Sequence, residues 1–378
     1  MQSDDQSGAR VVNRLPQLLR YGAGALILVL LPLLLPLMPG VSANYLLYLL
    51  CLTLIYALVA VGLNLLIGFA GQFSLGHAGF LAIGAYTSAI LTQRFGWHFV
   101  LALPAAGLFT AAIGFLLGLP ALRLSGPYLA VVTLGFGLAI PQLIVYFEDL
   151  TGGTQGLREL PFAAIPIWFD GATLYNLELS TEREMYYLVL GILAALTLFA
   201  VRLVDSHTGR AFVAIRDSEL AAQAMGVNLT RYKTTAFALS AFYAGVAGSL
   251  YAHLIRFLAP ESFTLFLSIE FLIMIVVGGL GSIRGALFGT LIIIGLQELL
   301  NRLPLVREHN LYIIVFGALL ILTIMFLPHG LAGALHGRGL RRPGTQHTAP
   351  PDDAAAPDLV EEARDRSSMS GSVRRSVE

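Results

Sequence analysis

The stretch YLLYLLCLTLIYALVAVGLNLLIGFAGQFSLGHAGFLAIGAYTSAILTQ, residues 45–93, carries no charged side chain. A helix that crosses a bilayer needs about 20 largely apolar residues, because inside lipid its backbone has only itself to hydrogen-bond. Two such windows fit here, 45–68 and 75–93. Between and within them lie Gly68, Gly71, Gly76, Gly79 and Gly84, interleaved with polar Asn64, Gln72, Ser74 and His77. Glycine permits unwound backbone and close helix approach, and unwound backbone survives at membrane depth only where protein or a cavity covers it. The stretch therefore predicts two spanning helices joined by a glycine-rich break. A weaker copy of the pattern occupies 278–295.

Windows of the same kind recur at 22–38, 99–119, 127–147, 184–204, 231–256, 265–283, 285–303 and 310–328. The expected fold is an all-α polytopic membrane protein of about ten transmembrane helices with glycine-rich breaks. Composition agrees: 56% of the 378 residues are hydrophobic and 12% charged, about half the charge of an ordinary soluble domain. Arginine placement gives the orientation. With the N-terminus in the cytoplasm, six of the 23 basic residues fall outside, namely Arg94, Arg158, Arg183, Arg256, Arg302 and Arg307. The remainder fall inside, as the positive-inside rule asks. The expected organisation is a cytoplasmic segment 1–20, a permease-like membrane region 21–330 and a disordered cytoplasmic tail 331–378, with both termini cytoplasmic. An external loop spans 148–183 and a cytoplasmic loop 205–230. The basic residues before 22–38 resemble a signal peptide, but the long apolar run reads as a retained first span.

Several function classes are disfavoured. A net charge of zero gives no basic field for nucleic acid. Cys51, the single cysteine, forms neither an internal disulfide nor a metal cluster. An ion-coupled carrier calls for ionisable groups within its spans, each costing about 2.5–3.5 kcal/mol at a helix centre. Here Glu270, Glu298, Arg256 and Arg302 read as lying near span ends, and His77 and His253 as packed, hydrogen-bonded histidines. There is no phosphate-cradling G-x-x-x-x-G-K-[ST] loop, so this chain is expected to bind no nucleotide and no other cofactor. No H-E-x-x-H helix or G-x-S-x-G elbow suggests a membrane enzyme.

The cytoplasmic loop is the most informative segment. Residues 209–226, GRAFVAIRDSELAAQAMG, suit short amphipathic helices: Phe212, Ile215, Ala222 and Met225 share an apolar face, while Arg216, Asp217, Glu219 and Gln223 lie elsewhere. Asp217 and Ser218 can cap a second helix and Gly226 can stop it. The face is too rich in alanine to sink into lipid and suits a groove on a protein.

Residues 219–226, ELAAQAMG, resemble the EAA-type loop of ABC importer permeases. Further stretches (62–68, 70–79, 124–129, 133–135, 151–156, 214–219 and 278–285) resemble the LivM-type permeases of branched-chain amino acid importers. The resemblance implies a partner permease of LivH type, two ATPase subunits that bind ATP–Mg, and an extracytoplasmic binding protein. It implies an inner-membrane location, and a solute that is a branched-chain or related hydrophobic amino acid, with urea, amides or other small organic solutes as the alternative. The residues expected to couple to the ATPase are Arg210, Ile215, Arg216, Asp217, Glu219, Ala222 and Gly226. Asn64, Gln72, Ser74, His77, Thr133 and Gln142 are candidates for the pathway wall, and Gly152, Gly153, Thr154 and Gln155 form the external loop's glycine-rich start. Catalytic and metal-binding residues are not expected.

Overall fold

The computed structural model describes residues 42–302 apart from 122–123, 125, 170–171 and 180, together with 29–32 and positions 317, 318, 321 and 325. The expected spans 22–38 and 310–328, the segment 1–20 and the tail 331–378 otherwise lie outside the described residues. The helices are α1 (Ala43–Asn64), α2 (His77–Gln93), α3 (Phe99–Ala121), α4 (Pro127–Tyr146), α5 (Glu182–Asp205), α6 (His207–Asp217), α7 (Glu219–Ala224), α8 (Leu229–Ile255), α9 (Leu265–Gly278) and α10 (Ile283–Asn301). Among the described residues, seven helical segments are long and apolar enough to cross a membrane: all of these helices except α2, α6 and α7. α2 is 17 residues long.

Burial sorts these helices into centre and periphery. The α1 and α8 segments have 72% of their apolar windows buried, whereas those of α3, α4 and α5 have 28%, 22% and 17%. α8 packs on α3, α2 and α1, while α9 and α10 pair beside α1. The peripheral helices expose Leu108, Phe109, Val131, Leu138, Leu198 and Phe199. An exposed apolar belt of that extent is what a lipid or subunit contact requires.

α2 and α8 approach closely through Gly84, Gly245 and Gly248. A methyl group added at Gly84 would sit 2.5 Å from the Gly245 Cα, and one at Gly248 would sit 2.6 Å from the Ala85 nitrogen. Polar contacts cross this seam at two places, each with a histidine. His77 Nε2 lies 2.7 Å from Ser240 Oγ, and its Nδ1 lies 3.1 Å from Ser74 Oγ. His253 Nε2 lies 3.2 Å from Ser88 Oγ, which also accepts from Ser249 Oγ at 2.7 Å. Both histidines are buried, in the packed and hydrogen-bonded state expected of them.

Outside the bundle the 148–183 segment starts with a helical turn, Glu148–Thr151, and then departs from α-helix. Ala164–Phe169 (β1) and Ala172–Glu178 (β2) form an antiparallel ribbon with an irregularity between Ile167 and Trp168. The sequences AIPIWF and ATLYNLE are rich in β-branched and aromatic residues, which favour strands. The segment is anchored to the chain after α8: Leu157 and Leu258 exchange backbone hydrogen bonds of 3.0 and 2.9 Å. Arg256 Nε donates to the Leu160 carbonyl at 2.9 Å, and Gln93 Nε2 to that of Arg158. The ends of α2 and α8 and the start of α5 thus share one end of the bundle.

Candidate functional site

The opposite end carries both glycine-rich breaks and the 205–230 loop. The first break begins with a π-helical turn, Leu65–Phe69, and continues non-helically to Gly76, with Gly71 at φ +70°. π turns widen a helix at the cost of good packing and concentrate at functional positions. The second break follows α9 at Gly279 and Gly281, with φ of +119° and +75°. This is why the expected span 265–283 ends five residues early: both glycines take backbone conformations that L side chains avoid.

Asn64 joins the two breaks. Its Oδ1 accepts from the Gly281 amide at 2.9 Å and its Nδ2 donates to the Ser282 carbonyl at 2.8 Å. The 205–230 loop reaches the same point. Arg216 Nη1 donates to the Gly68 carbonyl at 2.7 Å, setting a cation against the carbonyl end of a helix, where the backbone dipole favours it. Gly71 has no side chain because Arg216 lies over it; a methyl group there would meet the Arg216 Cγ at 2.8 Å. Beside these contacts, buried Gln72 has neither amide atom hydrogen-bonded among the described residues. An orphaned buried amide is costly, so this break has less to lose than a satisfied one when it rearranges.

The loop itself folds as two short helices. Ser206 caps α6, accepting from the Thr208 amide, and Ser218 caps α7, accepting from the Ala221 amide at 3.2 Å. Gly226, at φ +82°, ends α7: its amide donates to the Gln223 carbonyl and the Val227 amide to that of Ala222. This is the left-handed helix stop that glycine provides. Lys233, 4% exposed in its side chain, reaches from the start of α8 to Glu219 Oε1 at 2.6 Å. A cavity of about 520 Å³ lies between the end of α7 and Lys233.

One expectation for the loop needs correction. Phe212, Ile215 and Ala222 do face inward and are buried, but Met225 does not continue their face. It is 85% exposed, and Leu220 is 80% exposed. The caps at Ser218 break the helix in two, so the α6 register does not carry into α7. Arg210 donates to the Asp205 carbonyl at 3.0 Å, and Asp217 pairs with Arg216 at 3.2 Å.

The remaining candidates separate. Ser74, His77 and Thr133 are buried together with Asn64 and Gln72, and Thr133 Oγ1 accepts from the Leu75 amide at 3.0 Å. Gln142 is apart from them, exposed on α4. At the other end of the bundle, Gly152 and Gly153 take φ of +78° and +57° and turn the chain, leaving Thr154 and Gln155 exposed.

Sequence reasoning missed the Lys233–Glu219 and Arg216–Gly68 contacts, which join residues far apart in the chain. It also misplaced Glu270. That residue is the sixth of α9 and lies near the midpoint of the apolar segment Pro260–Gly278, away from either span end. Early termination of the helix at Gly278 moves the whole span toward the N-terminal side.

A multi-pass helical bundle, broken twice at one end and bound there to a folded surface loop, is built as the membrane subunit of a transporter. The family follows from sequence comparison: the chain belongs to the branched-chain amino acid transport system permease component family, whose model matches residues 45–324. It is 38% identical over 304 residues to the high-affinity branched-chain amino acid transport system permease protein LivM of Escherichia coli K12, covering 74% of this chain and 68% of that protein. It is 27% identical to the corresponding LivH protein of that organism, over 74% of this chain and 91% of LivH. A probable LivM of Methanocaldococcus jannaschii is 23% identical, over 73% and 90%. No solved structure matches the chain. A permease component is a transport subunit, not an enzyme.

Arg216 supplies a first prediction. With Arg216→Ala, solute uptake by the assembled transporter falls about five- to tenfold while the chain's amount in the membrane is unchanged. Its side chain is 35% exposed, packs over Gly71 and is the link between loop and break. Uptake within twofold of wild type would remove that role.

Proposed function

We propose that this chain is one of two permeases in an ATP-driven importer of the inner membrane, carrying branched-chain or related hydrophobic amino acids. The second permease is a LivH-type relative. Two ATPase subunits bind ATP–Mg on the cytoplasmic side, and an extracytoplasmic binding protein delivers solute near Thr154 and Gln155. In this reading the bundle has ten spans with both termini cytoplasmic, and the end bearing α6 and α7 faces the ATPases. The solute assignment draws support from the names of the relatives. Urea, amides and other small organic solutes are the alternative.

The observation that carries the reading is α7: a capped six-residue helix presenting Leu220 and Met225 outward at the end where both breaks meet. Two large apolar side chains exposed on so short a helix suit a groove on a protein partner. ATP-driven closure of that partner would push α6 and α7, and Arg216 would pass the movement to the first break.

Replacing Leu220 and Met225 together with aspartate should leave the chain in the membrane. It should abolish ATP-dependent uptake and remove the ATPase subunits from the purified complex. An unchanged complex with unchanged uptake would rule out docking through α7.

A further inference from the structure

Glu270 stands among apolar residues in α9, with Ile269 before it and Phe271 and Leu272 after. It lies eight residues from Gly278, about 12 Å along the axis at 1.5 Å per residue. Its Oε1 is buried and has no hydrogen-bond partner among the described residues, although the residue as a whole is partly exposed at the chain's surface. An ionisable group at such depth is expensive and is kept where it faces a pathway or a partner instead of lipid.

The surroundings are aromatic. Tyr56 of α1 packs on α9 at the residue after Glu270. Its ring meets Phe271 edge-on at 5.1 Å between centroids and stacks with Tyr251 at 6.4 Å. A buried carboxylate oxygen awaiting a donor is the chemistry that recognises an ammonium group and repels an anion. The ion pairs of Arg216, Lys233 and Arg302 engage Asp217, Glu219 and Glu298 instead.

We infer that Glu270, on α9 where Tyr56 of α1 packs, holds the ammonium group of the amino acid in transit. The inference rests on the importer reading above and adds the group of the solute that the membrane subunit itself grips. The residue's partial exposure at the chain's surface places it where two such subunits would enclose a path. The broken end lies farther along α9, so a solute gripped at Glu270 has still to pass Gly278 and the Asn64 contact.

The test uses the complete importer in proteoliposomes, with radiolabelled leucine as probe and binding-protein-stimulated ATP hydrolysis measured in the same vesicles. Glu270→Gln keeps the shape and removes the charge. It should lower leucine uptake at least tenfold while ATP hydrolysis stays within twofold, and Glu270→Asp should recover at least a third of wild-type uptake. A Glu270→Cys chain should react with 2-aminoethyl methanethiosulfonate, and more slowly when leucine-loaded binding protein is present; Cys51 is fully buried and gives little background. Three results overturn the inference: uptake by Glu270→Gln within twofold of wild type, parallel loss of ATP hydrolysis and uptake, or wild-type uptake that collapses with a protonophore at constant ATP. Failure of the importer reading shows differently, as a wild-type complex that carries no leucine.

Discussion

Glu219→Lys reduces ATP-dependent uptake to less than a tenth of wild type while the chain remains in the membrane in normal amount. The reason lies in what holds α7. A six-residue helix has too few internal hydrogen bonds to persist alone, so its position rests on the Ser218 cap, the Gly226 stop and the ion pair with Lys233. Lys233 is almost wholly buried, while Glu219 is about half exposed. Removing one partner of a fully buried pair costs about 3–5 kcal/mol, and exposure of Glu219 reduces this to about 1–3 kcal/mol. Lysine at 219 adds repulsion, since two like charges 4 Å apart at a protein surface oppose each other by about 4 kcal/mol before the side chain swings away. That is enough to detach α7 from the start of α8 and displace Leu220 and Met225. Adding Lys233→Glu restores the pair with its signs reversed. Recovery of uptake in the double variant assigns the effect to α7 placement. Failure to recover, with Lys233→Glu harmless alone, assigns it to a direct contact of Glu219 with the ATPase. Undiminished uptake in Glu219→Lys would refute both roles.

The long helices α1 to α5 and α8 were legible because lipid imposes a simple rule on sequence: about 20 apolar residues, few charges, glycine at the breaks. The windows 45–68, 75–93, 99–119, 127–147, 184–204 and 231–256 fall close to the observed helices for that reason. The loop's caps were legible too, since Ser218 and Gly226 act on backbone within four residues of themselves. What the sequence does not display is pairing across distance. Arg216 and Gly68 are 148 residues apart and Asn64 and Gly281 are 217 apart, so neither contact leaves a local pattern. Misassignment of Glu270 has a different cause. The run from Leu265 onward stays apolar through Ile283, and hydropathy alone cannot locate the end that the positive φ of Gly279 and Gly281 imposes. The ribbon 164–178 falls within a segment read only as an external loop, because a short strand pair leaves a weaker pattern than a spanning helix.

The seam between α2 and α8 gives the largest expected effect on the fold. Gly84→Val and Gly248→Leu each remove most of the folded chain from the membrane fraction and lower the melting temperature of what remains in detergent. In both cases the new side chain meets backbone, not a side chain that could turn aside. At Gly84 the added carbon lies 2.5 Å from the Gly245 Cα, and at Gly248 it lies 2.6 Å from the Ala85 nitrogen. Real carbon contacts need about 3.5–4.0 Å, so the helices must separate by about 1 Å or more. Without water to drive them together, membrane helices associate through close packing and interhelical hydrogen bonds, and separation weakens both. The His77–Ser240 and Ser88–His253 contacts span this same seam. The cost is at least about 3 kcal/mol, the upper part of the range for overpacking. Gly135 is the control. It lies on the exposed side of α4 with no atom within 4 Å of an added methyl group, so Gly135→Ala leaves expression and melting temperature unchanged. Equal tolerance of valine at 84 and alanine at 135 would mean that α2 and α8 do not meet as closely as these distances state.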